Sequence, residues 1–347
     1  MSRTRLSSGI IAVVLLALEI MLPLRAEAAA LDPPVKVRIN TAGLAGEAPI
    51  FLALDKGYFK AEGLDVELVM AQANSASDTL AMINSGDLDM ASFALSAGWL
   101  NAVDRGLAVI SLMAVNTITP GDKAGGVIVR QDLIESGKYK GPADLKGMNV
   151  AAFSLSGAGH YNILQAMKLG GLKPNDIEIT TLGPPDILAA LGNKSIDAAF
   201  NVEPFIFFAK TRGLGSMVIP DGQTSPGAPS IVIHANTAFA ARNKEAVERF
   251  VTALLRAQRE YIAATETGAG KDDVLKALQA NGTIKDMKLL SGINLPAADP
   301  NGKFDIAAFD AQQQFFVDTG AMKKPVDLDK IFDFSYLNRA IARLSSQ

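Results

Sequence analysis

The sequence predicts an α/β protein that is folded into two lobes. Short apolar runs alternate with stretches of helical periodicity, this alternation restarts near residue 148, and two apolar runs lie outside the rhythm. Alternation of this kind is typical of a sheet that helices cover on both faces. The chain has 347 residues, which is more than the roughly 100–200 residues of a typical single domain. The length therefore also favours two lobes.

The first unit of the alternation begins near residue 35. We predict its strands at residues 35–40, 64–70, 88–93 and 107–115. We predict its helices from Pro49 to Gly57, over residues 75–85, and from Ser96 to Gly106. Proline suits the first turn of a helix, and a serine can cap a helix start. This rhythm of strands and helices predicts a mostly parallel first sheet.

A second unit with the same rhythm follows. Its predicted strands lie at residues 148–153, 177–182, 198–201 and 216–219. Its predicted helices lie at residues 159–170, 185–192 and 204–212. The last part of the chain is almost wholly helical, with predicted helices at residues 244–265, 272–280, 305–319 and 336–344.

The two apolar runs outside this rhythm are GGVIVR at residues 125–130 and SIVIH at residues 230–234. We predict that they are strands that cross between the lobes. The first lobe then consists of residues 35–125 together with 230–347, and the second lobe of residues 126–229. A cleft between two lobes is a common ligand site, and ligands of open α/β sheets lie beyond the carboxyl ends of the strands.

The first residues of the chain have the features of an export signal. Arg3 and Arg5 precede an apolar run over residues 10–18, and a small-x-small cleavage site ends at Ala28. A membrane anchor is the alternative, but a membrane-spanning helix needs roughly 20 apolar residues. We therefore predict a signal peptide over residues 1–28 and a periplasmic location.

The composition argues against several classes of function. The chain carries 33 Lys and Arg against 36 Asp and Glu, whereas a nucleic-acid-binding surface is basic. It has no cysteine, which excludes disulfides, thiolate nucleophiles, cysteine metal sites and a lipid anchor on cysteine. The two histidines, His160 and His234, are too few for most histidine metal sites. We expect no catalytic residue, no metal, no cofactor and no nucleic-acid partner.

Three predicted loops join the end of a strand to the start of a helix. We call residues 41–48 the first cleft loop, residues 94–98 the second and residues 154–160 the third. Helix starts present N–H groups and partial positive charge, which favour an anionic or polar group. The third loop, SLSGAGH, is rich in small residues that let a ligand approach the backbone; an ordinary capped turn is the alternative. Since these loops contain no Lys or Arg, neutral donors would bind any anion.

Two acidic residues, Glu47 and Glu203, lie near predicted strand ends. Glu203 directly precedes Pro204, where its carboxylate suits an amine, amidine or aminopyrimidine group of a ligand. For both residues the alternative is an acid at a helix start, which the helix dipole favours.

Three ring side chains each have more than one interpretation. His160 lies at the start of a predicted helix, so its ring either faces the cleft or packs with the apolar face of that helix. Trp99, the single tryptophan, either lines the cleft or belongs to the core. We expect a structural role for His234, because it lies in a predicted crossing strand.

Several segments together resemble one protein family. PIFLALDKGYFKAEGLDVEL is similar to the opening signature of the nitrate/sulfonate/taurine type of ABC-transporter solute-binding proteins, a group that includes binders of thiamine-precursor pyrimidines. INSGDLDMASF, PADLKGMNVAAFSLSGAGHYNILQAMKLGGL and NVEPF resemble later segments, in the expected order over residues 35–255. Two departures reshape the pocket: Val202 stands where many members have an aromatic residue, and Gly98 and Trp99 lie where a proline is usual.

The resemblance implies a two-lobed, type II periplasmic-binding-protein-like fold that closes on its ligand about a hinge. It also implies ligand contacts from the three cleft loops and from the acid before Pro204. With Trp99 added as a possible wall of the cleft, the candidate ligand-binding residues are Ala45, Glu47, Ser96, Trp99, Ser154, Ser156, Gly157, Ala158, His160 and Glu203.

These expectations favour a monomeric periplasmic receptor that delivers a ligand to the permease of an ABC importer. The expected ligand is a small polar or anionic organic molecule, sulfonate- or taurine-like or related. One alternative is a pyrimidine-synthesising enzyme on the same fold, although such relatives look cytosolic and use a cysteine-rich motif. Another is a sensor input or protein-interaction module that uses the same cleft.

Overall fold

The computed structural model describes residues 29–70 and 76–346. The predicted signal peptide at residues 1–28 lies outside the described residues. The described strands are β1 Val35–Thr41, β2 Leu64–Met70, β3 Met90–Phe93, β4 Val109–Thr117, β5 Gly125–Arg130, β6 Asn149–Ala152, β7 Glu178–Thr181, β8 Ala198–Val202, β9 Gly215–Pro220 and β10 Pro229–Asn236.

Helices alternate with these strands and then fill the last third of the chain. They are α1 Ala48–Asp55, α2 Tyr58–Ala61, α3 Ala76–Ser85, α4 Ala97–Asp104, α5 Gln131–Glu135, α6 Ala158–Leu169, α7 Pro184–Gly192, α8 Phe205–Thr211, α9 Asp221–Thr224, α10 Thr237–Arg242, α11 Lys244–Glu266, α12 Lys271–Asn281, α13 Met287–Leu290, α14 Ile306–Asp318, α15 Leu328–Ile331 and α16 Ser335–Ser345. Short 3₁₀ turns occur at Ala45–Glu47, Pro142–Leu145 and Pro174–Asp176.

The strands form two five-stranded sheets, in the orders β2-β1-β3-β10-β4 and β7-β6-β8-β5-β9. We call the parts of the molecule around them the first and second lobes. The predicted α/β class with two lobes is thereby confirmed. The lobe boundaries at residues 125, 126, 229 and 230 stay a prediction.

The prediction of a mostly parallel first sheet is confirmed for β1, β2, β3 and β4, which run in the same direction, but one reversed strand, β10 in the first sheet and β5 in the second, makes each sheet mixed. In the first sheet, β1 pairs parallel to β2 and β3, whereas β10 pairs antiparallel to β3 and β4. In the second sheet, β5 lies antiparallel between β8 and β9. The physical reason is the direction of entry: β5 and β10 each begin at the edge where neighbouring strands end, so they run the opposite way.

The prediction that GGVIVR and SIVIH themselves cross between the lobes is wrong. Both runs lie within sheets, as β5 and β10. The chain crosses at residues 118–124 and 221–228, which we call the first and second crossing segments. They pair through their backbones, because Ile118 N donates to Ala228 O at 3.0 Å and Gly227 N donates to Ile118 O at 2.7 Å. The hinge therefore consists of two paired segments that immediately precede β5 and β10.

The core is divided by the sheets. On one face of the first sheet, α1 and the long helix α11 bury apolar side chains such as Phe51 and Phe250. The other face packs against α4 and α14 and holds Trp99. The helix predicted at residues 244–265 is α11, and its buried apolar side chains include Val247, Phe250, Val251, Leu254, Leu255 and Tyr261. In the described part of the chain, no helix combines the length and apolarity that a membrane crossing requires.

Candidate functional site

The three cleft loops follow β1, β3 and β6, at the carboxyl ends of strands in both sheets. The second and third loops, which belong to different lobes, contact each other directly. Ser96 and Gly157 form an isolated antiparallel bridge, in which Ala97 N donates to Ser156 O at 3.0 Å. The structure therefore shows the lobes closed against each other at the predicted ligand site.

The first cleft loop is organised by the buried carboxylate of Glu47. Its Oε2 accepts hydrogen bonds from Thr41 Oγ1 at 2.9 Å, Ala42 N at 3.1 Å and Leu44 N at 2.9 Å. Burial raises the pKa of Glu47 to about 7, against the lowering effect of these hydrogen bonds. Glu47 is only 2% exposed, so its carboxylate stabilises the loop from within. Ala45 in the same loop is buried as well.

The second cleft loop starts helix α4, and the predicted serine cap is confirmed. Ser96 Oγ accepts a hydrogen bond from Trp99 N at 3.4 Å. The Trp99 ring lies in the core, 1% exposed, tilted against the His234 ring at a centroid distance of 4.9 Å. The geometry thus favours the core interpretation of Trp99 over a wall of the cleft.

His234 lies beside Trp99 in the centre of the first sheet. Its ring stacks on Phe93 at 4.0 Å, and its Nδ1 lies 2.9 Å from Ser111 Oγ. Burial lowers its pKa to about 3, so the ring is neutral at physiological pH. This arrangement agrees with the structural role that we expected for His234.

The third cleft loop leads into helix α6, which starts without a side-chain cap. Ser154 Oγ accepts from Ser156 N at 3.1 Å and lies 3.1 Å from Ser156 Oγ. The N-cap residue of α6 is Gly157, which has no side chain to accept from the first-turn N–H groups. Those N–H groups have no intrahelical partner either, because the first turn of a helix lacks preceding carbonyls. The loop therefore offers backbone donors, beginning at Ala158, and two hydroxyls.

His160 links the third cleft loop to the first lobe. Its Nδ1 donates to Leu155 O at 2.8 Å, and its ring packs edge-on against Phe315 of α14 at 5.2 Å. The neighbouring Tyr161 packs on the same phenyl ring at 5.4 Å. His160 is half-buried, so it contributes to the contact between the lobes.

Glu203 is buried and bonded to the first lobe. Its Oε1 accepts from Asn294 N at 3.1 Å and Asn294 Nδ2 at 2.8 Å, and its Oε2 accepts from Phe207 N at 3.0 Å. Burial raises its pKa, against the lowering effect of these bonds. Both oxygens therefore already have protein partners. Sequence reasoning missed Asn294, because it lies in a segment without recognisable periodicity.

Two aspartates occupy the crossing segments and were also missed. Asp122 accepts from Ala124 N at 2.8 Å and from Ala297 N at 2.9 Å, which joins the first crossing segment to the residues after α13. Asp221 is buried nearby, and burial together with the charge of Asp122 raises its pKa to about 8. Within the described ranges, no group of three or more His, Cys, Asp or Glu residues has the arrangement of a metal site.

The sequence matches the family described as NMT1/THI5 like over residues 45–267. The taurine-binding periplasmic protein of Escherichia coli is 34% identical over 125 residues, which cover 35% of this chain and 38% of that protein. The 4-amino-5-hydroxymethyl-2-methylpyrimidine phosphate synthase of Aspergillus parasiticus is 29% identical over 239 residues, which cover 65% of this chain and 66% of the enzyme. Each match therefore spans less than two thirds of the relative's own length.

The fold is similar to that of solved binding proteins. The periplasmic aliphatic sulphonate binding protein SsuA from Escherichia coli superposes with a TM-score of 0.67 at 19% identity, covering 87% of this chain and 92% of that chain. At this level of identity the likeness shows the fold. It confirms the predicted two-lobed binding-protein architecture.

Proposed function

Because the chain belongs to the NMT1/THI5-like family, we propose that it is the solute-binding receptor of an ABC importer. It captures a small polar organic ligand, sulfonate- or taurine-like or related, between its lobes. The observation that carries this proposal is the contact of the second and third cleft loops, which brings Ser96 of one lobe against Gly157 of the other. A ligand held between these loops would contact both lobes at once.

The proposed binding surface consists of backbone donors and small polar side chains. The third loop supplies its hydroxyls and the open start of α6, which favour a sulfonate or similar group because helix N-termini attract anions. The residues proposed to contact the ligand are Ala45, Ser96, Ser154, Ser156, Gly157, Ala158 and His160. Glu47, Trp99 and Glu203 hold these loops from behind, because their polar or aromatic groups already contact the protein.

The transport step follows from closure. A ligand that contacts both lobes stabilises the closed form and shifts the population toward it. We propose that the closed monomer docks on the permease in the periplasm after removal of residues 1–28. The predicted lobes, residues 35–125 with 230–347 and residues 126–229, would then move as two bodies about the crossing segments.

A pyrimidine-synthesising enzyme is the second candidate function. The match to the Aspergillus synthase over 65% of this chain favours it. This chain contains no cysteine, whereas the enzymes on this fold that it resembles use a cysteine-rich motif. The proposal is therefore a binding protein without catalytic activity.

The test is a ligand panel on the mature protein. Calorimetry and thermal unfolding should be measured with taurine, ethanesulfonate, nitrate and 4-aminopyrimidine. A ligand at 100 times its Kd stabilises the folded state by about 2.7 kcal/mol, so a bound ligand raises the Tm. If no probe binds, the receptor proposal fails. Chemical conversion of a bound probe favours the enzyme instead.

A matched pair of variants tests whether the third cleft loop contacts the ligand, because one variant changes this loop and the other changes a position outside the proposed site. Ser156→Ala removes a hydroxyl of the third cleft loop, and Ser136→Ala removes one at the end of α5, where Ser136 Oγ donates to Leu133 O. We expect Ser156→Ala to weaken ligand binding and Ser136→Ala to leave it unchanged. Equal affinities for the two variants would remove the third loop from the site.

A further inference from the structure

Asn116 has a buried carboxamide without a protein partner. It lies next to the last residue of β4 and is 1% exposed, and neither its Nδ2 nor its Oδ1 forms a hydrogen bond within the described part of the chain. Buried amides are almost always paired, because leaving a donor and an acceptor unpaired out of water is unfavourable. We therefore expect the carboxamide of Asn116 to form hydrogen bonds with a group that is not part of the protein.

The other buried asparagines of the described residues are all paired. Asn40 exchanges hydrogen bonds with the backbone of Ser92, Asn162 accepts from Ser225, Asn201 donates to Pro184 O, and Asn236 caps α10. Among the residues that the structure describes, Gln258 Oε1 and Gln312 Nε2 are also buried without a partner, but in each glutamine this is one atom of the amide, whereas both polar atoms of Asn116 lack one. Asn116 departs from the pattern of the other buried asparagines.

The location of Asn116 is the ligand edge of the first sheet. It faces Ile231 across the β4–β10 pair, and Ile231 packs on the α1 side of the sheet. A Cβ atom added to Gly46 of the first cleft loop would lie 2.9 Å from Asn116 Oδ1 and 2.6 Å from Ile231 Cδ1. The carboxamide therefore lies directly against the first cleft loop, at the point where a glycine leaves room for it.

A second unpaired polar group lies on the same face. Ser92 faces Ile233 across the β3–β10 pair, and both Ile233 and Ile231, the partner of Asn116, pack in the cluster on the α1 side of the sheet, so Ser92 and Asn116 lie on the same side. Ser92 Oγ is buried and also lacks a hydrogen-bond partner in the described structure. β3 and β4 thus each carry, near the carboxyl end, an unpaired polar group on the α1 side of the sheet.

We propose that Asn116 is a ligand-contacting residue that determines specificity in the first lobe. This proposal rests on the receptor function proposed above. A carboxamide presents one donor and one acceptor side by side, so it fits a ligand that carries an acceptor beside an N–H donor. Taurine, with sulfonate oxygens and an amine, and 4-aminopyrimidine, with a ring nitrogen beside an amino group, both meet this description. Asparagine recognises the corresponding edge of adenine in the same way.

With Asn116, the first lobe also contributes an uncharged hydrogen-bonding group to the proposed site, as the third cleft loop does for the second lobe. The cleft loops contain no Lys or Arg, and the carboxylates of Glu47 and Glu203 are engaged by protein donors. The carboxylate of Glu203 already accepts hydrogen bonds from Asn294. In this proposal the Oδ1 atom of Asn116 therefore accepts from the N–H group of the ligand in its place.

The experiment compares Asn116→Leu with Asn236→Leu. Both replace a buried asparagine of the first sheet by an apolar side chain with the same number and branching of heavy atoms, but both polar atoms of Asn236 are paired and it lies at the other end of β10. The affinity of each variant is measured by calorimetry with taurine, 4-aminopyrimidine and ethanesulfonate, and the Tm is measured without ligand. Asn116→Ala is measured in parallel, in case leucine does not fit.

Opposite responses are expected. Asn116→Leu should leave the ligand-free Tm unchanged or raise it. It should lower the affinity for the probe that the wild-type protein binds by about tenfold or more, which corresponds to about 1.4 kcal/mol. The loss should be smaller for ethanesulfonate, which has no amine. Asn236→Leu should lower the Tm and leave the affinity unchanged.

The outcomes are distinguishable. If wild type binds a probe and both Asn116 variants bind it equally well, this inference is overturned and the receptor function stands. If both Asn116 variants lower the ligand-free Tm as Asn236→Leu does, the carboxamide is structural and the inference is likewise overturned. If wild type binds none of the probes, the receptor function fails and the inference falls with it.

Discussion

The first and third cleft loops solve the same structural problem in opposite ways. Each joins a parallel strand to a helix, at the facing edges of the two sheets. The first loop folds around the buried carboxylate of Glu47, which accepts from a hydroxyl and from two backbone N–H groups of its own loop. The third loop has no acid, and its helix α6 starts at Gly157 without a side-chain cap.

Because of this difference, the first loop is held rigidly, whereas the polar groups of the third loop remain available to bind a ligand. In the first loop the polar groups are used to stabilise the loop, so that the loop forms a fixed wall. In the third loop, hydroxyls and helix-start N–H groups stay accessible to a ligand. A cleft that needs one firm side and one adaptable side would have this arrangement, and the predictions below test it from the largest effect to the smallest.

The largest effect is expected for Glu47→Ala. The change leaves Thr41 Oγ1, Ala42 N and Leu44 N without their acceptor in a buried loop, at a cost of about 1–3 kcal/mol for each unpaired group. We expect the free energy of unfolding, measured in urea, to fall by about 3 kcal/mol or more. Glu135→Ala, at an exposed acid of the second lobe, is the control and should change it little. Equal effects would mean that Glu47 does not hold the first loop.

The pH dependence of Glu47 sharpens this prediction. Burial raises its folded-state pKa to about 7, above its ordinary value of 4.5. Its proton therefore favours the folded state, so the associated stability is fully present below pH 4.5 and is lost as the pH rises through 7.

Comparison with Glu47→Gln isolates this contribution. The free energy of unfolding of the wild type minus that of the variant should decrease between pH 5 and pH 8. His234, whose pKa is lowered, acts in both proteins and cancels in the difference. A difference that is independent of pH would contradict a raised pKa.

An intermediate effect on stability is expected for Asn294→Ala. This variant extends the comparison to Glu203, the buried acid of the second lobe. The change removes the Nδ2 donor to Glu203 and leaves the backbone donor in place. We expect a loss of about 1–2 kcal/mol and a larger radius of gyration in solution scattering, because one bond between the lobes is lost. An unchanged radius would show that the contact does not hold the lobes together.

Glu203→Gln distinguishes a bridging role from a ligand contact. If the carboxylate acts through Asn294, the variant should weaken all bound probes by a similar factor in calorimetry. If it binds an amine directly, the variant should weaken taurine and 4-aminopyrimidine selectively. The second result would restore Glu203 to the ligand-binding surface.

The smallest effect on stability is expected for Ser154→Ala combined with Ser156→Ala. The two hydroxyls bond each other and one N–H group within a half-buried loop, so we expect a loss below about 1 kcal/mol. Ligand affinity should nevertheless fall, because these hydroxyls are the accessible donors of the third loop. A large loss of stability would make the third loop as rigid as the first and would contradict the comparison.

Much of the fold was predictable because its local signals are strong. The strand predicted at residues 64–70 is β2 without change, and the helix predicted at residues 244–265 is α11 with one residue more. The serine cap of α4 was predicted from Ser96 alone. Periodicity and capping depend on neighbouring residues, so a single sequence contains them.

Strand direction and the roles of buried acids were not predictable in this way. β5 and β10 have the apolar pattern of any buried strand, and the pattern does not state which way the strand runs. Glu203 lies next to a proline at a helix start, as a surface acid would, but Asn294, which pairs with it, is 91 residues further along the chain. Trp99 of α4 likewise packs against a ring that lies far along the chain, that of His234 in β10.

The position of β10 has a consequence for the order in which the molecule assembles during synthesis. The five strands of the second sheet are continuous in the chain from Gly125 to Pro220, so that sheet can form as soon as its own residues have been made. The first sheet has β10 between β3 and β4, so it stays divided until the whole second lobe has emerged. The half that begins earlier in the chain is therefore the half that finishes folding later, and until then the edges of β3 and β4 need protection from other chains.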